Sequence, residues 1–569
     1  MLGPAPDCAS AGKTDADEAR NVRRSICEFY LRGMSLSGRF AFFLAAAGLV
    51  CAQPKLIERQ QPETLTFAEL RTLSDEAVPA GELGMRLQRL LTTPVIDNTA
   101  ALGGAKPARP QWPGLGPLLR VAMWNIERGQ EFDLVRMALT DPEALMAESA
   151  KRRAEAKLEL SESQLEQARK QAALLKDTDV IILNEVDWGM TRTEYRDVAR
   201  ELARAAGMNY AYGVEFLEVD KLYLGDEDID LTDEQQEQEI RKGLLPDKEK
   251  YLGLHGSAVL SRYPIQSARI HRFRRCYDWY GKEKDEIAKL EKGRREVAEK
   301  VFLERIAREV RHGGRMALIA EIAVDESPAK KVTVIAAHLE NKCVPKCRKE
   351  QMIDLLNQVR ETDGPVILAG DLNTTGSDAA PVSVRREIAK RVKNPKFWAG
   401  QAVNWLSPVS IPRLFTMPAN YFKNYQDPTA KSIPFVAPNR EAGLFHELET
   451  FQFRDGMMFD FRGDESRTVN GRAGKLANSN QRTLKGFQPT FTFKRDLKGL
   501  AGELRLDWIF VKGLARQPDA PGESYHWAPH FGAVLEDLTN SVPDGISDHH
   551  AVVAELPLND PGRAAPAKR

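Results

Sequence analysis

Short apolar runs recur along the chain from Leu118 to Leu556, and polar residues stand where many of them end. Each run holds four to six apolar residues rich in Val, Ile and Leu, which is typical of β-strands covered on both faces. Helical segments lie between the runs, and this alternation predicts a layered α/β fold. The strand-like runs are LLRVAMWNIERG, DVIILNEVDWG, GSAVLSRYPI, KVTVIAAHLEN, PVILAGDLNTT, ELRLDWIFVKG and ISDHHAVVAEL. The helical segments are SESQLEQARKQAALLKD, EYRDVARELARAAG and RKEQMIDLLNQVRET.

Other stretches lack this rhythm. Residues 53–117 are polar and mixed and close with KPARPQWPGLGP, so we predict an N-terminal arm and linker there. The patterned domain then covers 118–557, and a disordered tail follows at 558–569. The predicted insertions within the domain lie near 220–250, 282–315 and 378–500.

Two of the insertions have a recognisable composition. The stretch 282–315 is charged and helical, and its mixed charges favour an amphipathic surface helix over a nucleic-acid-binding segment. Residues 397–493 are rich in aromatic side chains, which favours a packed insertion core over a lipid-facing or substrate-capping loop. Among those aromatic residues are Trp405, Phe415, Tyr421, Phe422, Tyr425, Phe435, Phe451, Phe453, Phe459 and Phe461.

The segment 34–52 has the pattern of a secretory signal peptide. Arg39 precedes an apolar run that is too short to span a bilayer, and small residues follow it up to Ala52. We therefore expect translation to start at Met34, residues 1–33 to be a non-native or disordered extension, and the protein to be exported to the periplasm or the medium. A buried helix is the alternative interpretation.

Charge and cysteine content set further limits. The chain has 81 basic and 81 acidic residues, so no global positive charge attracts nucleic acid. Cleavage after Ala52 would leave three cysteines. Cys343 and Cys347 are close enough in sequence for a local disulfide that leaves Cys276 unpaired, and they are too few for a zinc site.

Polar residues at the strand ends are the candidate functional groups. Such residues gather at one edge of a sheet, where ligands bind. Clustered carboxylates repel one another unless a cation lies between them, and oxygen ligands favour Mg²⁺, Mn²⁺ or Ca²⁺ over zinc. A hard cation beside a histidine and an aspartate suits hydrolysis of phosphate esters. The candidates are the carboxylates Glu185, Asp371, Asp507 and Asp548, the amides Asn125 and Asn373, and the imidazoles His338 and His549.

The ordered motifs WNIERG, LNEVD, GSAVLSRYP, AAHLEN, AGDLN, RLDWIF and SDHH resemble the endonuclease/exonuclease/phosphatase (DNase I-like) superfamily. The resemblance covers about Leu118 to Leu556 with the interruptions given above. It implies a four-layer α/β sandwich, in which two packed and mostly antiparallel sheets are flanked by helices. It also implies Mg²⁺-dependent hydrolysis of phosphoesters at one sheet edge, with Mn²⁺ or Ca²⁺ as alternative cations.

The resemblance implies a role for each group at the metal. Glu185 would be the principal ligand, and Asn125 and Asp548 would support the cation or its waters. His549 would activate water or contact the phosphate, with Asp507 fixing its tautomer and charge.

The remaining candidates lie around the phosphate in this interpretation. Asp371 and Asn373 would position the nucleophile and the phosphate, and His338 would lie near the leaving group or the phosphate. His550 follows the motif and is expected to point into packing or solvent, because adjacent strand residues face opposite sides.

Two positions depart from the family pattern, and the substrate stays open. Asn184 stands where the family often has Gln, and Ser257 stands where Asn is common; neither change removes a catalytic group. A lipid headgroup, a nucleic acid or an inositol phosphate are all possible substrates. An endonuclease is the alternative function, and a non-catalytic binding protein of the same fold is a further one. We expect a monomer without an obligate protein partner.

Overall fold

Strands and helices account for most of the chain that the computed structural model describes. The described residues are 56–113, 115–221, 223–226, 246–284, 309–324, 331–375, 427–429, 432–433, 437–460, 479–483, 486–492, 504–513, 527, 529 and 531–558. The strands are β1 (Arg59–Gln60), β2 (Val95–Asp97), β3 (Gln111–Trp112), β4 (Gly116–Arg128), β5 (Val180–Trp188), β6 (Asn209–Glu218), β7 (Leu254–Ser261), β8 (Ile265–Arg272), β9 (Arg311–Gly313), β10 (Met316–Ile322), β11 (Val332–His338), β12 (Val366–Asp371), β13 (Ser432–Ile433), β14 (Ala437–Pro438), β15 (Arg482–Thr483), β16 (Gly486–Phe487), β17 (Asp507–Lys512), β18 (Phe531–Val534) and β19 (Val552–Pro557). The helices are α1 (Phe67–Asp75), α2 (Gly81–Thr92), α3 (Thr99–Leu102), α4 (Phe132–Thr140), α5 (Pro142–Ala156), α6 (Glu162–Lys176), α7 (Val198–Ala206), α8 (Gly281–Lys284), α9 (Pro345–Val359), α10 (Ala442–Thr450) and α11 (Glu536–Asn540), with a 3₁₀ turn at Thr191–Thr193.

Local sequence explains where several helices begin and end. Helix α6 starts after Ser161, whose side chain accepts from the Gln164 backbone N–H, while Gln164 accepts from the Ser161 N–H. Helix α7 ends at Gly207, which adopts the left-handed conformation that glycine tolerates best. The three helices predicted between the strand-like runs and the seven predicted strands are all present, with boundaries that differ by up to six residues.

Two large sheets organise the described residues. The larger has the order β1-β2-β6-β7-β5-β4-β19-β18, with β3 paired to β4 and β9 paired to β6. The smaller has the order β17-β12-β11-β10-β8. Neighbouring strands are antiparallel except for the β4–β5 and β11–β12 pairs, which are parallel.

The side chains of the two sheets form three apolar cores. Val121 and Met123 of β4 pack between the sheets against Ile509 of β17, whereas Ala122 and Trp124 face the helices α4 to α7. A third core lies between the outer face of the small sheet and helices α9 and α10. Helix, sheet, sheet and helix therefore follow one another, which confirms the predicted four-layer α/β sandwich.

The prediction of an arm and linker at 53–117 is wrong for its described part. Strands β1 and β2 extend the large sheet beyond β6, and Leu70, Leu73 and Leu90 are fully buried in its outer core. Helices α1 and α2 each show one apolar face among many charged residues, so the segment looks polar when the faces are not separated. The folded domain begins near Ile57 rather than at Leu118.

The prediction of one helical stretch at 282–315 is wrong at its end. Strand β9 pairs with β6 of the large sheet, and Arg315 is buried just before β10. The charge of Arg311 and Arg315 made this part look like surface, but buried carboxylates neutralise both side chains. Residues 285–308 lie outside the described residues.

The cysteine pairing also differs from the prediction. Cys276 is bonded to Cys347, and Cys343 is buried and not part of a disulfide. The bond joins the loop after β8 to the first turn of α9 across 71 residues. Spacing along the chain favoured a local pair, but packing of this loop against α9 brings the distant cysteine closer.

Several sequence predictions fall outside the described residues. These include the signal peptide at 34–52, most of the insertions at 220–250 and 378–500, and nearly all of the tail. Phe451, Phe453 and Phe459 are buried in the core of α9 and α10, which confirms the packed-core interpretation for them. Among the residues that the structure does describe, no helix has the length and apolar character needed to cross a membrane.

Candidate active site

The ends of strands from both sheets meet at one edge of the sandwich. Asn125 of β4 lies between the sheets, and its Nδ2 is 3.3 Å from Glu185 Oε1 and 3.2 Å from Asp371 Oδ2. The same atom is 3.4 Å from His549 Nε2. Three of the predicted residues, from three separate parts of the sequence, therefore lie within 3.4 Å of one atom of a fourth, Asn125.

A β-bulge turns Glu185 toward this point. Leu183 and Val186 both face the outer core of the large sheet, and the register between β5 and β7 shifts between them. Glu185 is in the left-handed region at φ 52°, which is unusual for a residue other than glycine. Bulges next to active sites commonly re-aim a side chain, and here strict alternation along β5 would not have predicted the direction of Glu185.

His549 is paired with Asp507 across the two sheets. His549 Nδ1 is 2.8 Å from Asp507 Oδ2, and both side chains are buried. Burial lowers the pKa of His549, but the carboxylates of Asp507, Asp548 and Asp371 outweigh it and hold that pKa well above the usual value. The neighbouring carboxylates therefore favour the protonated form of this imidazole.

The backbone fixes Asp371 from two sides. The Asn373 N–H donates to Asp371 Oδ1 at 2.8 Å, and the Asp371 N–H donates to Asn184 Oδ1 at 2.8 Å. Asn373 is left-handed at φ 49°, and its Nδ2 donates to the Leu339 carbonyl. Burial and the neighbouring Asp507 raise the pKa of Asp371.

Asp548 lies at the more exposed side of the site. Its Oδ1 is 4.0 Å from His549 Nε2, and its backbone N–H donates to Glu127 Oε2 at 3.1 Å. His550 is buried and its backbone N–H donates to the Thr490 carbonyl. That its side chain points away from the site stays a prediction.

His338 belongs to a second group of charged side chains, which it forms with Glu215 and Arg315 next to Asp371. Its Nδ1 is 3.2 Å from Glu215 Oε2, its Nε2 is 3.8 Å from Asp371 Oδ2, and Arg315 Nη1 is 2.9 Å from Glu215 Oε2. Burial raises the pKa of Glu215, but the charges of His338 and Arg315 outweigh it and lower that pKa. All three side chains are almost fully buried.

Sequence reasoning missed Glu215 and Arg315. Glu215 is inside the apolar strand NYAYGVEFLE, where a buried carboxylate needs a partner, and that alone could have marked it. Arg315 directly precedes the apolar run MALIA but was assigned to the charged stretch before it.

The two departures from the family pattern contact each other. Asn184 Nδ2 donates to Ser257 Oγ at 2.8 Å, and Ser257 Oγ donates to Glu215 Oε1 at 2.5 Å. Because Asn184 also accepts from Asp371, a continuous set of hydrogen bonds joins Asp371 to Glu215. Asn184 and Ser257, each shorter than the residue that the family commonly has there, therefore belong to one set of hydrogen bonds.

A buried ionic network continues from Glu185 into the large sheet. Arg128 Nε lies 4.0 Å from Glu185 Oε2, and its Nη2 bonds Glu309 at 2.6 Å. Burial raises the pKa of Glu185, but Arg128, His338, His255 and Arg315 outweigh it and lower that pKa to about 2. The remaining members of the network are Arg311, Glu218, Arg192, Asp187 and His255.

The donor atoms fit a hard divalent cation. Within the described residues, Asp371, Asp507 and His549 each bring one ligand atom to within 4.8 Å of the others. Asp507 Oδ1 is buried and has no hydrogen-bond partner among the described residues. Carboxylate oxygens dominate the site, as Mg²⁺, Mn²⁺ or Ca²⁺ requires. Asn125 as oriented offers its N–H groups to the carboxylates, while its Oδ1 accepts from the Glu127 N–H.

Comparisons with known proteins agree with these motifs. A model of the Endonuclease/Exonuclease/phosphatase family matches residues 124–549. No curated protein sequence matches the chain.

Solved structures are similar to the chain at low identity. An endonuclease/exonuclease/phosphatase from Beutenbergia cavernae DSM 12333 is 17% identical, with 79% of this chain and 74% of that chain covered and a TM-score of 0.29. The human Nocturnin catalytic domain with bound sulfate is 12% identical, with 77% and 94% covered and a TM-score of 0.30. A family protein from Bacteroides thetaiotaomicron is 11% identical, with 77% and 97% covered and a TM-score of 0.32.

Proposed function

The chain belongs to the endonuclease/exonuclease/phosphatase family, whose members hydrolyse phosphoester bonds, and on that premise we propose that it is itself a metal-dependent phosphoester hydrolase. The observation that carries this proposal is the 2.8 Å contact between His549 and Asp507 beside Asp371 and Asn125. An oriented histidine and several carboxylates at one sheet edge are the groups that such hydrolysis needs.

In the proposed reaction, His549 accepts a proton from the attacking water at Nε2, because its Nδ1 faces Asp507. Asp507 holds the imidazole in that tautomer and stabilises its charged form. Asn373 and Asn184 keep the Asp371 carboxylate in place through backbone hydrogen bonds. Glu185, Asp548 and Asp371 would hold a divalent cation, with Asn125 organising the carboxylates. As the water oxygen bonds to phosphorus, the bond from phosphorus to the leaving oxygen breaks, and that oxygen takes up a proton from His549 or solvent. A bound cation would neutralise these carboxylates and the phosphate oxygens, which would lower the barrier to attack at phosphorus.

Hydrolysis of bis-p-nitrophenyl phosphate tests this function. Turnover should require Mg²⁺ or Mn²⁺, stop on chelation and return when metal is added back. Glu185→Gln should raise the metal concentration needed for half-maximal turnover by more than about 100-fold, because it removes a charged ligand. Glu194→Gln, at an exposed side chain, is the matched control. Turnover that survives both chelation and His549→Gln would refute the proposal.

The class of substrate is decided by a parallel assay. Plasmid DNA, sphingomyelin vesicles and inositol phosphates are offered to the same protein with metal present. The balanced charge of the chain gives DNA no general attraction, so we expect DNA to be the poorest of the three. Rapid DNA cleavage that falls steeply with salt would favour the endonuclease alternative.

We also propose that the protein works outside the cytoplasm. The signal-peptide pattern at 34–52 is joined by the Cys276–Cys347 disulfide, a bond that forms and persists in oxidising compartments. N-terminal sequencing of the mature protein should begin at Gln53. An intact Met1 in a cytosolic fraction would contradict this.

A further inference from the structure

The Asp507–His549 contact joins two separate sheets. Asp507 is the first residue of β17 in the small sheet, and His549 precedes β19 in the large sheet. Each side chain moves with its own backbone, so the 2.8 Å contact depends on the relative position of two sheet ends. The segment 490–492 is hydrogen-bonded to both ends.

On the small-sheet side, the segment is bonded to the backbone before and at Asp507. The Thr490 hydroxyl oxygen accepts from the backbone N–H groups of Leu506 and Asp507, each at 3.0 Å. The Thr490 N–H donates to the Leu504 carbonyl at 2.8 Å. Thr490 is fully buried, so no solvent competes for these bonds.

On the large-sheet side, the same segment is bonded on both sides of His549. The His550 N–H donates to the Thr490 carbonyl at 2.7 Å, and the Thr492 N–H donates to the Asp548 carbonyl at 3.1 Å. The ring centroids of Phe491 and His549 lie 4.9 Å apart. Thr490 is therefore bonded to both sides of the pair. Its side chain accepts from the backbone at Asp507, and its carbonyl accepts from the backbone beside His549.

We propose that Thr490 is a positioning residue, whose hydroxyl holds Asp507 at hydrogen-bond distance from His549. The inference rests on the proposed hydrolytic function, in which this pair activates water. Thr490 contacts neither water nor phosphate in that reaction. Without its hydroxyl, two buried N–H groups lose their acceptor, and the start of β17 relaxes away from the large sheet.

Kinetics of Thr490→Val test the proposal, since valine keeps the shape of threonine and lacks the hydroxyl. We expect kcat to fall about 10- to 100-fold, as a small misplacement of catalytic groups causes, while KM changes less than about twofold. Thr490→Ser should restore most of the turnover. Thr539→Val, which removes a buried hydroxyl in α11, is the matched control and should leave kcat unchanged.

Hydrogen exchange supplies a readout that needs no activity. Amides of the peptide covering 504–512 should exchange faster in Thr490→Val than in wild type, and at the wild-type rate in Thr539→Val. Wild-type kcat and wild-type exchange in Thr490→Val would overturn the inference, as would failure of Thr490→Ser to restore turnover. If Thr490→Val does not fold, Thr490→Cys serves instead, because a thiol is a weak acceptor. If the wild type hydrolyses no phosphoester, the proposed function fails while the exchange comparison still tests the positioning contact.

Discussion

Two buried histidine–carboxylate pairs lie close together at the site, and their surroundings differ. His549 contacts Asp507, with the carboxylates of Asp371 and Asp548 3.8 Å and 4.0 Å from its Nε2. His338 contacts Glu215, but Arg315 Nη1 lies 2.7 Å and 3.0 Å from its two ring nitrogens. Arg315 therefore places a positive charge directly beside His338, whereas the charged groups around His549 are carboxylates.

Under the proposed function, this difference would give the two histidines different roles. The carboxylates around His549 favour a proton on it, which suits the proposed transfer of protons at the phosphate. Arg315 already balances the charge of Glu215, so we propose that the His338 pair supports Asp371 as a fixed part of the framework. A histidine beside a carboxylate does not by itself identify the base; the charges next to the pair do.

The largest expected effect separates the two histidines in catalysis. His549→Gln should lower kcat about 10²- to 10⁴-fold, the range that a positioned general base contributes. His338→Gln should lower it far less, because Arg315 and Glu215 already hold the ring nitrogens of His338. Steady-state kinetics at saturating metal measure both, with thermal melts to confirm folding. Equal losses of kcat in His549→Gln and His338→Gln would contradict different roles for the two histidines.

The next effect is on stability, and here the group around His338 is expected to matter more than the pair at His549. Glu215→Gln removes the nearest charged partner of the buried Arg315 and leaves only Glu340 at 4.0 Å among the ion pairs of the described residues, so the free energy of unfolding should fall by about 3 kcal/mol or more. Asp507→Asn should cost less, because it also removes repulsion between Asp507 and Asp371. Urea unfolding in the presence of a chelator compares the two variants. A greater loss of unfolding free energy in Asp507→Asn than in Glu215→Gln would contradict the expected importance of Glu215 for stability.

The smallest effect is a pH dependence of stability without metal. The folded-state pKa of His549 is raised above its unfolded value, so the stabilisation is complete below pH about 6.5 and disappears as the pH rises through the folded-state pKa. The free energy of unfolding should therefore fall by at most about 1.4 kcal/mol per pH unit from this one proton. His549→Gln should flatten that slope, and His338→Gln should preserve it. An unchanged slope in His549→Gln would contradict the assignment of this proton to His549.

The strands and most of the site residues could be predicted because their pattern is local. Each of the seven predicted runs is a continuous apolar segment, and its polar end is visible next to it. Helices α1 and α2 were missed because their apolar positions are separated by charged residues, and only the face that meets the sheet shows them as core.

The residues that sequence reasoning missed are those whose partners are distant. Glu215 and Arg315 are 100 residues apart, and neither has a local pattern that identifies the other. The departures at Asn184 and Ser257 looked independent until their hydrogen bond was seen. Residues that hydrogen-bond to one another across neighbouring strands cannot be paired from their spacing in the sequence alone.

The sequence by itself determined the family, the strands and the set of polar groups at their ends, because strand periodicity and motif order are properties of neighbouring residues. Only the tertiary structure decided how those groups are arranged. The bulge in β5 turns Glu185 into the site, and Arg315 distinguishes His338 from His549. Packing of two sheets brings these atoms together, and the energies of charges and hydrogen bonds depend on separations of a few ångströms that spacing along the chain does not contain.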